Sequence, residues 1–266
     1  MTTFKLLLGR CYFGFGDWLM LATVVKIVNL QHPEVQVDID TSNIPYDRTW
    51  LLHLLPEFGA RCRFVAEPVL TEYHAHVLHV VYANPRGPVH LIQGMLNCIN
   101  DVTGWNLEYY PDLLARLEVS TVDERLLPHD TLVLTSQGSS YSGSLCKDPG
   151  CEWWQKVAGL MAKHYTIVQV GCKDDRKLVC ASYWYLGHPP SVAYAILKQC
   201  SLAVLMENGL AHLAGMAGAK TYVLHLSKEH ARPHNVWYPG HSPVDCTVGV
   251  PTPEQMVEHI LRWVKE

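Results

Sequence analysis

Residues 202–220 read LAVLMENGLAHLAGMAGAK, and this stretch decides how the second half of the chain folds. The apolar run Leu202–Met206 has the length of a buried strand, and it stops at Glu207-Asn208-Gly209. A helix rich in small residues then begins and carries His212 in its first turns. In open α/β sheets, ligands bind where a buried strand runs through a loop into a helix N-terminus. The N–H groups and partial positive charge there attract an anion such as a diphosphate.

A purely structural interpretation of the same residues is also open. Glu207 and Asn208 would then only cap the helix, and His212 would be an ordinary hydrogen-bonded histidine. Taken alone, the segment favours this second interpretation. The rest of the chain shifts the preference toward the ligand-binding interpretation.

The segments around this stretch repeat its alternation of strand and helix. Strands are predicted over 131–135, 165–170, 182–186, 202–206 and 221–226, and helices over 152–164, 191–199 and 253–265. The last helix has Thr252 as N-cap and Pro253 at its first position. A long loop rich in His and Pro is expected over 227–251. This alternation predicts a parallel α/β domain.

The first half of the chain follows the same plan. Strands are predicted over 4–8, 35–39, 62–66 and 76–82, and helices over 18–30, 48–58 and 89–102. The glycines at 9, 14 and 16 do not complete a dinucleotide-binding fingerprint. Asp17 follows this glycine loop, at the mouth of the predicted sheet. Either helix capping or a role as general base is consistent with its position.

A polar stretch, EVSTVDERLLPHD over 118–130, separates the two halves and is the most linker-like part of the chain. We therefore expect two Rossmann-like domains, 1–125 and 126–266, that face each other across a cleft. An alternative placement of the last helix is against the first domain.

Composition excludes several classes of protein. Of the 266 residues, 48% are apolar and 17% charged, as expected for a compact globular chain. The formal charge is −4 and no Lys/Arg-rich run occurs, which weighs against nucleic-acid binding. We expect no signal peptide, because the apolar run near residue 4 is too short for one, and no stretch has transmembrane length. Nine irregularly spaced cysteines favour a reduced, cytoplasmic protein.

Other candidate binding residues have two interpretations each. Strand alternation places His74 and His76 on one face and His79 on the other, with no Cys or Asp to complete a shell, so no metal site is predicted. Arg86, in a predicted turn, either binds an anionic acceptor or is solvated. The aromatic stretch 105–110 suits stacking on sugars or core packing. The histidines of the 227–251 region and its border, His225, His230, His234 and His241, are expected in one exposed loop.

Four segments, in this order along the chain, resemble glycosyltransferase family 9, the heptosyltransferase-like enzymes. They are Gly16-Asp17-Trp18-Leu19 with Ala22-Thr23 and His32-Pro33, then Trp154, Leu186-Gly187-His188-Pro189-Pro190-Ser191-Val192, and Glu207-Asn208-Gly209-Leu210-Ala211-His212-Leu213-Ala214. The last segment resembles the family's Asp-Ser/Thr-Gly-x-x-His-x-Ala signature, with the spacing from Gly209 to His212 intact.

The resemblance implies a GT-B fold and an inverting, metal-independent transfer of a sugar from a nucleotide-sugar to an acceptor hydroxyl. It implies that Asp17 is the general base and that the nucleotide-sugar is a co-substrate, with no other cofactor. The first domain would bind a glycan or other hydroxyl acceptor, with Arg86 as a contact. The implied donor-binding residues are Gly16, Ser136, Asp174 (or its neighbour Asp175), Glu207, Asn208, Gly209 and His212.

The chain departs from the family pattern in three ways. Glu207 stands where the family has Asp, and no residue matches the diphosphate-binding Lys, for which Lys147, Lys173 and Arg176 are stand-ins. The first half is also shorter than in typical members. Alternatives are therefore a viral-type glycosyltransferase acting on a hydroxymethylated DNA base, a non-catalytic nucleotide-sugar-binding protein, and a nucleotide-sugar epimerase.

Overall fold

A computed structural model describes most of the chain as two compact units. The described residues are 3–10, 15–42, 58, 62–80, 90–115, 117, 127–135, 149–225, 238, 241–245 and 249–265. One unit comprises Met1–Glu118 with Asn235–Trp237, and the other comprises Val119–His234 with Tyr238–Glu266. The helix predicted over 48–58 lies outside the described residues except for Phe58.

The first unit contains a parallel sheet, whose described strands have the order β3-β2-β1-β4. Its elements are β1 (Phe4–Arg10), α1 (Phe15–Gln31), β2 (Val35–Asp40), β3 (Cys62–Val65), β4 (Ala75–His79) and α2 (Leu91–Thr103). In the centre, Leu6 of β1 is paired with Val37 on one side and with Ala75 on the other. The consecutive Leu6–Leu8 are all buried, as expected of a parallel strand covered on both faces.

Helix α1 is longer than its apolar spacing predicts. It begins at Phe15 rather than Trp18, and nearly every residue from Trp18 to Val28 is buried. A helix that is apolar all round is buried all round, and α1 is of this kind. It ends at Gln31, where His32 N–H donates to Val28 O (2.7 Å) before Pro33 prevents continuation, as predicted.

The second unit contains a larger parallel sheet, with described strands in the order β10-β9-β8-β5-β6-β7. Its elements are β5 (Thr131–Leu134), α3 (Cys151–Met161), β6 (Thr166–Gly171), β7 (Tyr183–Leu186), α4 (Pro190–Gln199), β8 (Leu202–Met206), α5 (Gly209–Ala217), β9 (Thr221–His225), β10 (His241–Asp245) and α6 (Pro253–Lys265). The predicted bounds of β8 and α6 are confirmed to the residue.

Strand β10 corrects one prediction, since these residues were expected in a loop. Pro243 lies in its middle, and proline is normally a sign against a strand. At the edge of a sheet it is tolerated, because one side of the strand needs no hydrogen-bond donor. β10 is the edge strand, and it pairs only with β9 among the described strands.

The core of the second unit lies between the sheet and helices α3 and α6. All residues of β5 and β8 are buried, and Trp154 of α3 and Ile260 of α6 belong to the same core cluster. Helix α6 begins with a reciprocal capping box: Gln255 N–H donates to Thr252 Oγ1 (3.3 Å), and Thr252 N–H donates to Gln255 Oε1 (2.9 Å). The buried face of the last helix thus packs within the second unit.

Both sheets reverse their strand order, the first between β1 and β4 and the second between β5 and β8. In the first sheet, β1, β2 and β3 progress to one side, and β4 lies on the other side of β1. In the second sheet, β5, β6 and β7 progress to one side, and β8, β9 and β10 to the other. Crevices for ligands form at the carboxyl ends of the strands where such a reversal occurs. Each unit therefore has one expected binding edge, after β1 and β4 or after β5 and β8.

Two further features concern the described part of the chain alone. None of its helices combines the length and the apolar character that crossing a membrane requires. Its six cysteines, Cys62, Cys98, Cys151, Cys172, Cys180 and Cys200, are free thiols.

Candidate functional site

The turn from β8 to α5 lies at the reversal point of the second sheet. Glu207, half-buried, is tied to the neighbouring strand because its N–H donates to Leu224 O (3.0 Å). Thr135, directly after β5, is buried, and β5 is the neighbour of β8 in the sheet. Predicted Ser136 follows Thr135 but lies outside the described residues. The end of β5 and the β8–α5 turn therefore lie at the same edge of the sheet.

Asn208 is the N-cap of α5. Its backbone is extended, and its Oδ1 accepts hydrogen bonds from the N–H groups of Leu210 (2.9 Å) and Ala211 (3.3 Å). The side-chain oxygen is therefore used inside the protein, which confirms the capping interpretation for this residue. It also reduces the number of N–H groups available to an anion, because two of those in the first turn are already satisfied.

Gly209 is the first residue of α5, and its N–H has no hydrogen-bond partner among the described residues. A glycine here presents no side chain in front of that N–H. The anion site therefore has fewer available donors than the sequence predicts. Among the described residues it offers the backbone N–H of Gly209, at a helix N-terminus between Glu207 and the first turn.

His212 lies in the first turns of α5 and is only 6% exposed. Its Nδ1 is 3.1 Å from the hydroxyl oxygen of Tyr238, and the two rings meet edge-on with centroids 5.9 Å apart. Tyr238 is equally buried. The sequence contains no local signal for this pair, because the two residues are 26 positions apart.

Two histidines that were expected in an exposed loop are instead in strands. His225 ends β9 and is 1% exposed, at the carboxyl edge beside the β8–α5 turn. His241 begins β10 at the opposite edge and lies 5.3 Å, centroid to centroid, from the ring of Tyr238. Its ring nitrogens are inaccessible, and burial lowers the pKa of His241 to about 4. The expectation of an exposed loop was wrong for both: His225 lies in the strand predicted over 221–226 and is buried, and His241 begins β10 and is half-buried.

The predicted ribose-binding carboxylates lie in the turn after β6, also at the carboxyl edge. Asp175 Oδ2 accepts from the N–H of Cys172 (3.0 Å), and Asp175 N–H donates to Cys172 O (3.1 Å), so this side chain closes its own turn. Asp174 is exposed. Asp175 is half-buried, and the role of Asp174 in binding stays a prediction.

Gly16 and Asp17 lie in the first turn of α1, at the carboxyl edge of the first sheet. Gly16 is buried and Asp17 half-buried. Because the helix begins at Phe15, Asp17 is its third residue and not the N-cap. A negatively charged side chain in a first turn interacts favourably with the helix dipole. Cα pairing of Arg10 with His79 places the ends of β1 and β4 at this same edge.

The other predicted residues are buried in the core, exposed, or outside the described part of the chain. Arg86 and Lys147 lie outside the described residues. Trp154 is fully buried in the core, so it acts in packing. Lys173 and Arg176 are exposed in the turn after β6. No group of three or more His, Cys, Asp or Glu side chains capable of holding a metal ion occurs within the described ranges.

The aromatic stretch 105–110 lies at the amino end of the first sheet, opposite the expected binding edge. Trp105 stacks on His32 (3.9 Å between centroids) and also contacts Phe4, the first residue of β1. Tyr109 stacks on His90 (4.0 Å). Both rings are half-buried and already stack on histidines of the protein, which favours the core interpretation for them.

A buried carboxylate in the first unit was missed by sequence reasoning. Asp38 of β2 is fully buried and accepts hydrogen bonds from Arg63 Nη2 (2.6 Å), Arg63 Nε (2.9 Å) and Tyr73 Oη (2.9 Å). Burial, followed by the hydrogen bond to Asp38, raises the pKa of Tyr73 to about 12. These polar side chains find their hydrogen-bond partners within the protein, so we infer that the cluster stabilises the fold.

Comparison with known proteins adds the fold to this geometry. No family profile and no curated protein matches the sequence. A glycosyl transferase family 9 structure from Veillonella parvula DSM 2008 superposes with a TM-score of 0.69 at 11% identity, covering 99% of this chain and 98% of its own. E. coli ADP-heptose lps heptosyltransferase II gives a TM-score of 0.67 at 13% identity, with 98% of each chain covered.

A third structure, E. coli heptosyltransferase WaaC with ADP-2-deoxy-2-fluoro heptose, gives a TM-score of 0.61 at 10% identity. The superposition covers 98% of this chain and 99% of the WaaC chain. At identities this low, the superpositions establish a shared fold, and the chemistry has to be argued from the residues. The chain has the fold of the family 9 heptosyltransferases.

Proposed function

We propose that this protein is an inverting glycosyltransferase that moves a sugar from a nucleotide-sugar to an acceptor hydroxyl, without a metal ion. One observation carries the proposal. Two of the four segments that resemble family 9, at Gly16-Asp17 and at Glu207–His212, lie where the strand order of their sheets reverses. Such positions are where α/β sheets bind ligands.

The proposal includes a GT-B arrangement with a domain boundary near residues 125 and 126. The first domain binds the acceptor and the second binds the donor. E. coli heptosyltransferase WaaC, which has this fold, was solved with ADP-2-deoxy-2-fluoro heptose, so a sugar linked to a nucleoside diphosphate is the class of donor we propose. The acceptor is a glycan or another molecule with a free hydroxyl, held in part by Arg86.

In the proposed reaction, the carboxylate of Asp17 removes the proton of the acceptor hydroxyl. The acceptor oxygen attacks the anomeric carbon, and the bond from that carbon to the diphosphate oxygen breaks with its electron pair on oxygen. Attack opposite the leaving group inverts the configuration. A positioned general base contributes about 10²- to 10⁴-fold to such a step.

The leaving nucleoside diphosphate gains negative charge as the bond breaks. The Gly209 N–H at the N-terminus of α5 and the ring of His212 in its first turns supply hydrogen-bond donors for this charge. Glu207, Asn208, Ser136 and Asp174 are proposed to hold the rest of the donor. The extra methylene of Glu207 relative to the family's Asp would shape the pocket for a different sugar.

A thermal-shift screen against ADP-, GDP-, UDP-, CMP- and dTDP-linked sugars tests the proposal. A ligand that binds the native state raises the melting temperature, by an amount that grows with its concentration above Kd. We expect a clear shift with one nucleotide class, followed by transfer to a hydroxyl acceptor with inversion. Binding without transfer to any acceptor would favour a nucleotide-sugar-binding protein. Turnover of the donor without acceptor would favour an epimerase.

Absence of a shift with every nucleotide-sugar would contradict the donor site. Retention on hydroxymethylated DNA that weakens steeply with salt would favour a DNA acceptor, for which neither the fold nor the charge of −4 provides support.

A further inference from the structure

Tyr238 is held against His212 in the second unit, and the proposed reaction leaves it without a role. The hydroxyl oxygen of Tyr238 lies 3.1 Å from His212 Nδ1. Both side chains are buried, with exposed fractions of 4% and 6%. Hydrogen bonds shielded from water restrict the groups that make them more strongly than exposed ones do. The ring of His212 is thus fixed by Tyr238 through one of its two nitrogens.

Helix α5 in turn holds Tyr238 in place. A Cβ atom added to Gly215 would lie 2.1 Å from Tyr238 Cγ and 2.2 Å from its Cδ2. Gly215 follows His212 by three positions, so the two residues share one face of the helix. The tyrosine ring therefore rests on the helix at Gly215, and its hydroxyl reaches back to the histidine.

We propose that Tyr238 is a positioning residue for the donor site. Its hydroxyl donates to Nδ1 of His212, which holds the imidazole hydrogen on Nε2 and directs that N–H toward an oxygen of the donor diphosphate. A neutral imidazole has one donor and one acceptor nitrogen, so a hydrogen bond received at Nδ1 decides which tautomer is present. The inference rests on the proposed function, in which His212 contacts the diphosphate.

The chain contains a matched control for this pair. Tyr222 of β9 is also buried, and its hydroxyl bonds to Nδ1 of His259 on α6. This second pair joins the sheet to the last helix and has no part in the proposed donor site. Tyr222→Phe therefore removes the same kind of hydrogen bond, from the same kind of ring, away from His212.

The first measurement needs no nucleotide. Nitrogen-15 NMR of the full chain, with His212→Gln used to assign the signal, reports which ring nitrogen carries the hydrogen. We expect the Nε2–H tautomer of His212 in the wild type and in Tyr222→Phe, and a mixture of tautomers in Tyr238→Phe. A wild-type ring in the Nδ1–H form, or a tautomer that Tyr238→Phe leaves unchanged, would overturn the proposal.

The second measurement is calorimetric titration with ADP. Loss of the positioning hydrogen bond should weaken ADP binding by about 3- to 10-fold in Tyr238→Phe, while Tyr222→Phe binds as the wild type does. Equal weakening in both variants would mean a general loss of stability and would overturn the positioning role. So would an altered tautomer with unchanged ADP affinity, because His212 would then not reach the diphosphate.

Failure of the proposed function has a different signature. If the wild type binds neither ADP nor any nucleotide-sugar of the thermal-shift screen, the donor site is refuted. The proposed contact between His212 and a diphosphate is then refuted as well. The NMR result still decides whether Tyr238 selects the tautomer of His212.

Discussion

The ring of Tyr238 occupies the space in which a side chain at Gly215 would lie, since an added Cβ would be 2.1 Å from Tyr238 Cγ. Real Cβ atoms do not approach other atoms this closely, so either the tyrosine or the helix must move when the glycine is replaced. The relationship links a glycine in the middle of α5 to the partner of His212.

Replacement of this glycine should destabilise the protein even though alanine is the better helix former. Gly215→Ala gains about 1 kcal/mol in helix propensity. Overpacking against a buried ring costs about 1 to 3 kcal/mol and displaces Tyr238 from His212. We expect a net loss of stability in urea unfolding, together with weaker nucleotide binding.

Gly159 of α3 provides the control for this substitution. A Cβ there would meet only Cys180 Sγ at 3.6 Å, an ordinary contact. Gly159→Ala should therefore stabilise the protein by about 0.5 to 1 kcal/mol. If both variants were stabilised equally, the close packing of Tyr238 on Gly215 would be wrong.

Removal of the proposed base should stop transfer while leaving the donor site intact. Asp17→Asn keeps the size of the side chain but cannot accept the acceptor's proton, so we expect kcat to fall by about 10²- to 10⁴-fold. Steady-state transfer assays measure the rate, and thermal shift measures donor binding, which should be unchanged.

Asp112→Asn is the control, because Asp112 is an exposed carboxylate of the same unit. It should retain full activity. Wild-type rates in Asp17→Asn would show that another group is the base.

The Asp38 cluster should respond unequally to loss of its two charged members. Asp38 is fully buried, whereas 59% of the Arg63 side chain is exposed. Arg63→Met leaves the buried carboxylate of Asp38 without its charged partner, which should lower the free energy of unfolding by about 3 kcal/mol or more. Asp38→Asn leaves an arginine that water can solvate, so its cost should be smaller, about 1 to 3 kcal/mol.

Urea unfolding of both variants and of the double variant measures the difference and the coupling between the residues. Tyr73→Phe, which removes one hydrogen bond to Asp38 and no charge, should cost least. A larger loss in Asp38→Asn than in Arg63→Met would contradict the asymmetry of burial.

Acid should destabilise the protein in part through His241. Burial lowers the pKa of His241 to about 4, below the 6.5 of an unperturbed histidine. Between these values the unfolded chain binds a proton that the folded chain does not, so stability rises with pH there and is lost as pH falls from about 6.5 to 4. Over that whole interval the loss from this group alone is about 3 kcal/mol.

Urea unfolding at pH 7.5, 6.0 and 5.0 measures this slope. His241→Phe should flatten it, because phenylalanine has no proton to bind. The same slope in this variant and in the wild type would assign the acid sensitivity to other groups.

Periodicity and turn residues were sufficient to predict most elements of this fold. The buried run of β8 stops at polar residues, and Thr252 with Pro253 marks the start of α6, so both elements were predicted to the residue. The structure also places Asp17 and His212 in the first turns of helices that follow strand ends, as predicted, while their roles in a site stay predictions. These features are local, since a run of apolar residues and a cap depend on near neighbours in the chain.

The functions of individual polar and aromatic residues depended on distant contacts. Asn208 is engaged as a helix cap, Trp105 packs at the wrong end of the sheet for a sugar site, and His225 is buried at the end of a strand. The edge strand that contains Pro243 was missed because its pairing with β9 overrides the propensity of its residues.

The sequence by itself determined that the chain alternates strands and helices in two halves and that Asp17 and Glu207–His212 follow strand ends. Only the tertiary structure decided that Tyr238 meets His212 and that Arg63 meets Asp38. Partners so far apart in sequence are selected by the packing of whole elements. Burial and hydrogen-bond satisfaction, which no local pattern encodes, then determine which polar groups remain available for a ligand.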